Sequence, residues 1–401
     1  MDKPTDAICS QTLTAEVEWR DRFADPGSFM LVLLAALTLG APDYPPVRSA
    51  EWLAPPACAA AFDGPVCVED VAPTAEEARR ALGDRATAWR AEGDRLRVFA
   101  WREGETVSLC CAARVPMRRV GDTDLWSVTL RVKDLDRAVL DILVGRDPAN
   151  ADLPQYRGPN APAAPVFAAG LQGKLLEEAW DSAAAGEQRK LSVYTPPGFD
   201  PARRYPVVYL ADGYVLEGYA RLVEPLILSG DLPPVVMAGL WPNQGDPAVN
   251  WRRLDWQVGV DPERFARIEK VLLTEAMPLV EAKYGASSRP RDRLIYGTSA
   301  GAAWSAVMAA RHPDVFGHAA AFSLGWGPAA DAAWRTGPRL YLAAGTLEPE
   351  YLRVTSELAA RARAAGREVR LDTPVAGHSF TTWQPRMIEA IRWAFGAPKK
   401  K

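Results

Sequence analysis

A serine stands between two glycines at Gly297-Thr298-Ser299-Ala300-Gly301, after the apolar run "LIY" and before the alanine-rich window "AGAAWSAVMAAR". A serine hydroxyl is a weak nucleophile unless a base removes its proton, and its attack on a carbonyl creates a negative charge that needs donors. The G-x-S-x-G form suits such chemistry when a strand precedes it and a helix follows. The sharp strand-to-helix turn crowds the backbone, and glycines on both sides relieve that crowding. Ser299 is therefore read as a nucleophile.

Three histidines are available as its base. His312, in "AARHPDVFG", falls at the end of the helical window after the serine, where a histidine caps the helix or meets its dipole. His318 lies just before a strand and reads as structural. His378, in "TPVAGHSFTTW", falls between the last strand and the last helical window, and is the base expected from the order serine, acid, histidine. The acid then comes from "TLEPEY" after the strand "RLYLAAG", which offers Glu348 and Glu350. Glu348 is nearer the strand end, where a carboxylate is held rigidly enough to fix the imidazole tautomer. Glu350 reads as a first-turn helix acid. The oxyanion donors expected are the N–H of Ala300 and one from the loop after "VVYLADG", at about Tyr214, each worth about 3 kcal/mol in the transition state.

These residues must be positioned by an α/β domain with a mainly parallel sheet. "KLLEEAWDS" and "RKLSVYTPPGF" read as an opening hairpin, and "YPVVYLADG", "PPVVMAGLW", "DRLIYGTSA", "HAAAFSLGW", "RLYLAAG" and "EVRLDTPVAG" as buried strands. "FARIEKVLLTEAMPLVEAKY" and "QPRMIEAIRWAF" carry helical periodicity. Upstream, "DRLRVFAWRE", "TVSLCCAARV", "LWSVTLRV" and "RAVLDILVG" read as short strands of a small antiparallel sandwich, in which Trp126 is a core anchor. The expected organisation is a leader at 1–41, a poorly defined region at 42–85, the sandwich at 86–147, a Pro- and Ala-rich linker at 148–168, the α/β domain at 169–397 and a basic tail at 398–401.

The whole chain has 401 residues, 48% hydrophobic and 24% charged, with a net charge of −3. That profile excludes disordered and collagen-like chains and gives no global attraction to nucleic acid or an anionic bilayer. The run "SFMLVLLAALTLGA" is too short to span a membrane and suits a signal-peptide core, although a poorly basic stretch precedes it. It points to a periplasmic or secreted protein, the alternative being a buried segment of a cytoplasmic one. Cys58 and Cys67, in "CAAAFDGPVC", form a candidate bridge in an oxidising compartment, and the adjacent Cys110 and Cys111 read as one core and one outward thiol. There is no CxxC and the histidines are not spaced as ligands, so neither a metal nor a cofactor is expected.

"WDSAAAGEQRKLSVYTPPGFDPARRYPVVYLADG", "GTSAGAAWSAVMAARHPDVFG", "LAAGTLEPEYLRVTSELAARARAAG" and "AGHSFTTWQPRMIEAIRWAF" resemble the enterochelin esterase-like, or esterase D-like, branch of α/β-hydrolases. "VFAWREGETVSL" with "MRRVGDTDLWSVTLRV" is similar to the immunoglobulin-like N-terminal domain of ferric enterobactin esterases. The resemblance implies an α/β-hydrolase domain behind an immunoglobulin-like sandwich, with Ser299 as nucleophile, His378 as base and Glu348 as its partner. It implies hydrolysis of a small-molecule carboxylic ester through an acyl-serine, without a cofactor. "WRRLDW" is similar to a family segment in which Arg252 and Asp255 shape the site as an ion pair and Arg252 or Arg253 meets an anionic ligand; a solvated arginine pair is the alternative. Two departures lie near the pocket: Ala302 where many relatives have glycine, and Trp256 where tyrosine is frequent. Trp241, Trp251, Trp256, Trp326 and Tyr214 are expected at the strand-end rim, where aromatics suit a catecholate siderophore ester or a feruloyl or sugar acetyl ester equally. A non-catalytic binding protein on the same scaffold and an acyltransferase are the competing classes.

Overall fold

Short β-rich segments at the start of the chain close into two antiparallel sheets in the computed structural model, which describes residues 55–104, 106–111, 113, 115–145, 154–325 and 337–396. The leader-like run, the basic tail and Trp326 lie outside the described residues. The strands are β1 (Val66–Glu69), β2 (Thr87–Glu92), β3 (Arg95–Trp101), β4 (Ser108–Cys111), β5 (Val115–Pro116), β6 (Arg118–Arg119), β7 (Leu125–Val132), β8 (Val139–Val144) and β9 (Gln155–Arg157). One sheet runs β1-β7-β3-β2, with β6 on β7; the other runs β5-β4-β8-β9. Leu96, Val98, Val128 and Leu130 of the first face Leu109, Leu140, Ile142 and Val144 of the second in one apolar core. Trp126 is buried, and its indole N–H donates to the Arg102 carbonyl at 2.9 Å, which satisfies the polar edge of the anchor.

The sandwich reaches beyond both limits read from the sequence. Upstream of residue 86, β1 pairs with β7, and the helix Ala75–Leu82, capped by Thr74, packs Ala78, Ala81 and Leu82 against Phe99 and Leu125. A disulfide between Cys58 and Cys67, with a Cα separation of 4.9 Å, ties the segment before β1 to that strand. Downstream, β9 lies inside the expected linker and pairs with β8, Val139 opposite Arg157. Both edge strands are short, four and three residues, so neither shows enough of the two-residue period that marks a half-buried strand.

The second part is built on an eight-stranded sheet of β10 (Lys174–Ser182), β11 (Glu187–Thr195), β12 (Val207–Ala211), β13 (Val236–Leu240), β14 (Arg293–Thr298), β15 (His318–Phe322), β16 (Arg339–Ala343) and β17 (Val369–Asp372). Its order is β10-β11-β13-β12-β14-β15-β16-β17. The hairpin β10–β11 and the pair β11–β13 are antiparallel, and every later pair is parallel. The central strands are apolar on both faces because helices cover both. Val207 and Tyr209 pack with the helices Pro262–Val271 and Ala300–Arg311, whereas Val208 and Leu210 pack with Leu216–Leu228 and Phe380–Phe395. The long periodic window is helical but interrupted by a π-turn at Leu272–Ala276. Pro278 follows it and has no N–H to continue the ladder. Glu275 in that turn accepts from the Trp180 indole at 2.8 Å and the Ser182 hydroxyl at 2.6 Å, fastening the hairpin to the helix.

His318 opens β15, buried, with a ring nitrogen 3.0 Å from the Arg291 carbonyl and edge contacts to Trp393 and Phe395. Burial lowers its pKa, so the folded state resists the proton that the unfolded chain accepts below about pH 6.5. Stability is therefore expected to fall as pH drops through that value toward the folded pKa, and the melting temperature of His318→Gln is expected to change less between pH 7.5 and 5. Parallel pH profiles of the two proteins would contradict this role.

Candidate active site

β14 ends at Thr298 and the helix Ala300–Arg311 begins after a single intervening residue, so the whole reversal falls on Ser299, at φ 56° and ψ −121°. A non-glycine residue with positive φ is strained, and strain of this kind is held in place only by its surroundings. The neighbouring glycines show how. A Cβ on Gly297 would lie 1.9 Å from the Gly301 carbonyl oxygen, and one on Gly301 would lie 2.8 Å from the Ala211 Cβ. The first of these contacts is with backbone and cannot be relieved by a rotamer. Gly297→Ala is expected to destabilise the protein by about 3 kcal/mol, read as a lower denaturation midpoint. An unchanged midpoint would mean that the turn is not tightly packed.

His378 reaches this turn from the loop after β17. Its Nε2 is 2.9 Å from Ser299 Oγ and its Nδ1 is 2.6 Å from Glu348 Oε2. Glu348 is only 2% exposed, and a buried carboxylate needs its lone pairs satisfied. Its other oxygen accepts from the Ser323 hydroxyl at 2.7 Å and the Gly345 N–H at 2.5 Å, and Ser323 in turn accepts from the Trp383 indole at 2.7 Å. An ionised Glu348 can only accept, so it takes Nδ1–H and leaves the Nε2 lone pair facing the serine hydroxyl. The ring is packed between Tyr351, with centroids 4.2 Å apart, and the edge of Trp383, at 4.9 Å. The two loops are joined: Thr346 and Leu347 donate their N–H groups to the carbonyls of Pro374 and Ala376. Gly345 permits this approach, since a Cβ there would lie 2.1 Å from the Ala376 oxygen.

Ala300 is the first residue of its helix and Tyr214 lies in the short 3-10 turn Gly213–Val215. The first N–H groups of a helix have no intrahelical acceptor and are free to meet an anion. The residue before that turn, Asp212, is a site element that the sequence reading missed. Its carboxylate accepts from Arg252 Nε at 2.8 Å, Arg252 Nη2 at 2.7 Å and the Trp256 indole at 2.9 Å. Arg252 also donates to the Thr298 carbonyl at 3.2 Å, so it links the two strand ends beneath Ser299. Burial and the Asp212 charge push the Tyr214 phenol well above its usual range, which keeps it neutral.

Three ligand-facing expectations are corrected by these contacts. Arg252 pairs with Asp212 and not with Asp255. Asp255 is 0% exposed and accepts from Arg189 at 3.0 Å, Arg264 at 2.5 Å and the Asn243 N–H at 2.8 Å, so it lies under the rim rather than on it. Trp256 is also 0% exposed and packs against Trp304 at 5.2 Å, a pillar rather than a platform. The six-residue helix Trp251–Trp256 turns both side chains inward, and so short a segment carries no readable period. Trp241 and Tyr214 do remain together, in edge contact at 5.7 Å. His312 caps its helix and meets Glu269 at 2.6 Å, and Glu350 stands in the first turn of Pro349–Ala364, as read.

Residues 182–345, from the end of β10 to the loop before Glu348, match the family described as "Putative esterase". The α/β domain is similar to this esterase family over that stretch, which is less than half of the chain. Over an alignment of 162 residues the chain is 26% identical to an endo-1,4-beta-xylanase/feruloyl esterase of Xylanibacter ruminicola, covering 36% of this chain and 21% of that protein. The match thus spans about a fifth of that relative's length. In structure, the chain resembles the enterobactin esterase FES from Shigella flexneri, with a TM-score of 0.59 and 16% identity over 77% of this chain and 96% of the other. The ferric enterobactin esterase of Salmonella typhimurium gives a TM-score of 0.55 at 16% identity, again over 77% and 96%. At these identities the likeness is one of fold, an α/β-hydrolase type. Among the described residues, no cluster of histidine, cysteine and carboxylates is placed to hold a metal ion, and no helix is long and apolar enough to cross a membrane.

Proposed function

We propose that the protein hydrolyses carboxylic esters through an acyl-serine intermediate. The observation that carries this reading is the unbroken chain Ser299 Oγ, His378 Nε2, His378 Nδ1, Glu348 Oε2, with links of 2.9 and 2.6 Å. Ser299 Oγ attacks the ester carbonyl while Nε2 takes its proton, and Glu348 stabilises the imidazolium. The tetrahedral oxyanion is met by the N–H groups of Ala300 and Tyr214. Collapse breaks the bond to the alcohol, which leaves with the proton from His378. A water activated by the same imidazole then releases the acid and restores the serine.

For the substrate we favour a bulky aromatic ester of the catecholate siderophore kind. The fold likeness to enterobactin esterases takes in more of the chain than the α/β domain alone, which supports reading the sandwich as immunoglobulin-like and as part of the same design. Tyr214 and Trp241, in edge contact at 5.7 Å at the strand ends, are the aromatic groups beside the site that such a ring would meet. A feruloyl or acetyl ester on a carbohydrate is the second reading, favoured by the feruloyl esterase relative. The Cys58–Cys67 bridge supports an oxidising, periplasmic or extracellular setting. The two substrate readings separate when ferric enterobactin, methyl ferulate and an acetylated sugar are offered side by side to the wild type and Ser299→Ala. Preferred, Ser299-dependent cleavage of the siderophore supports the first reading, and preference for either of the other esters overturns it.

A further inference from the structure

The loops that carry Glu348 and His378 are gripped from outside by the β-sandwich. Leu347, one residue before the acid, is buried in the sandwich's own apolar core, and Val375, three residues before the base, packs against the same cluster. The Val139 N–H at the start of β8 donates to the Val375 carbonyl at 3.1 Å. On the other side of the base, the Thr381 hydroxyl donates to Asp141 of β8, with its oxygen 2.7 and 2.9 Å from the two carboxylate oxygens. Gln155 of β9 completes the cluster, with its amide nitrogen 2.9 Å from both Asp141 Oδ1 and Thr381 Oγ1. His378 therefore lies between two points fixed by one strand of the other sheet system.

The helix that follows His378 is held locally by the Thr382 hydroxyl, which donates to the Gly377 carbonyl. Its N-cap residue, Ser379, forms no side-chain cap bond, so the first turn of Phe380–Phe395 lacks the usual side-chain cap. Asp141 holds that turn from across the interface through a side chain, the Thr381 hydroxyl. It is 2% exposed, it holds Thr381 in the first turn, and its negative charge faces the positive end of a sixteen-residue helix. A buried carboxylate on a strand edge remote from the reacting atoms is costly unless such partners are present.

We propose that Asp141 is a positioning residue for His378, acting through Thr381, so that the β-sandwich is a working part of the hydrolytic site and not a spacer. The inference rests on the acyl-serine reading above. A loop released at Thr381 shifts the imidazole by a fraction of an ångström against Ser299, which slows the proton transfer and leaves substrate binding nearly as it was.

The test uses the full chain, p-nitrophenyl acetate and the isosteric variant Thr381→Val, which removes the hydroxyl and keeps the shape. The kcat is expected to fall about 10- to 100-fold with KM within about threefold of wild type, and Thr381→Ser to recover to within about threefold. A Thr381→Val enzyme with wild-type kcat, or a Thr381→Ser enzyme as slow as the valine variant, overturns the proposal. Should Thr381→Val fail to fold, the exposed Gln155→Ala carries the same test, with a drop in kcat of about fivefold at constant KM expected and an unchanged kcat overturning it. Ser299→Ala run alongside keeps the two readings apart. Activity that survives in Ser299→Ala refutes the acyl-serine reading, whereas Ser299-dependent activity indifferent to Thr381 and Gln155 refutes only the positioning role.

Discussion

Ser299→Ala is expected to lower kcat for a p-nitrophenyl ester by about 10⁴- to 10⁶-fold while leaving the denaturation midpoint nearly unchanged. Loss of the oxygen removes the hydroxyl that His378 Nε2 meets at 2.9 Å. The remaining rate comes from binding and the oxyanion donors, which are untouched. Ser299→Gly sharpens the expectation. It loses the same activity, but the backbone at φ 56° is unstrained for glycine, so the midpoint rises by the equivalent of about 1 kcal/mol. Activity and stability moving in opposite directions at one residue is a result that a general packing defect does not produce. The pair is measured by ester hydrolysis and by urea unfolding.

The second large effect is expected at Asp255, beneath the rim. Arg189 has a side chain with 0% exposure and Arg264 one with 9%, and both direct guanidinium nitrogens at this carboxylate. Glu187 shares them but is 21% exposed and holds only the outer edge. Removing Asp255 leaves two buried cations with half their neutralising charge, and breaking a buried pair in this way costs about 3–5 kcal/mol. Asp255→Ala is accordingly expected to unfold at a markedly lower urea concentration, and Asp255→Asn, which keeps one acceptor oxygen but not the charge, to recover only part of the loss. Glu187→Ala is expected to cost less than half as much. Equal effects at the two carboxylates would contradict the distinction drawn from their burial. Asp255 also fastens the Asn243 N–H in the segment after Trp241, so activity on bulky aromatic esters is expected to suffer with stability.

The three groups that the structure brings together, Ser299, His378 and Glu348, were legible in the sequence because each is announced locally. Ser299 has its glycines and its strand-to-helix context, His378 is one of three histidines and the one placed between the last strand and last helix, and Glu348 sits at a strand end. The alternation of apolar strands and amphipathic windows gave the α/β sheet for the same reason: helices on both faces require strands apolar on both faces. What stayed hidden depends on contacts between distant parts of the chain. Asp212 becomes part of the site only because Arg252 and Trp256, some forty residues on, point back at it. Ser323 matters only because Glu348 and Trp383 converge on its hydroxyl. Arg252, Asp255 and Trp256 have the residue types of a ligand-facing cluster, yet a six-residue helix gives no period from which to tell inward from outward. The strands β1 and β9 escaped for a related reason, being short edges of four and three residues whose pairing is decided by the partner strand.

The central claim is that Ser299 forms a covalent bond with the substrate's acyl group under the control of His378. Its most direct test is to treat the native chain with a fluorophosphonate, which phosphonylates an activated serine, and to map the adduct by peptide mass spectrometry. A single adduct is expected on Ser299, absent from Ser299→Ala and formed at least about 10³-fold more slowly in His378→Ala, where the base is missing. A protein that hydrolyses esters yet carries no adduct, or carries it on another residue, would contradict the account.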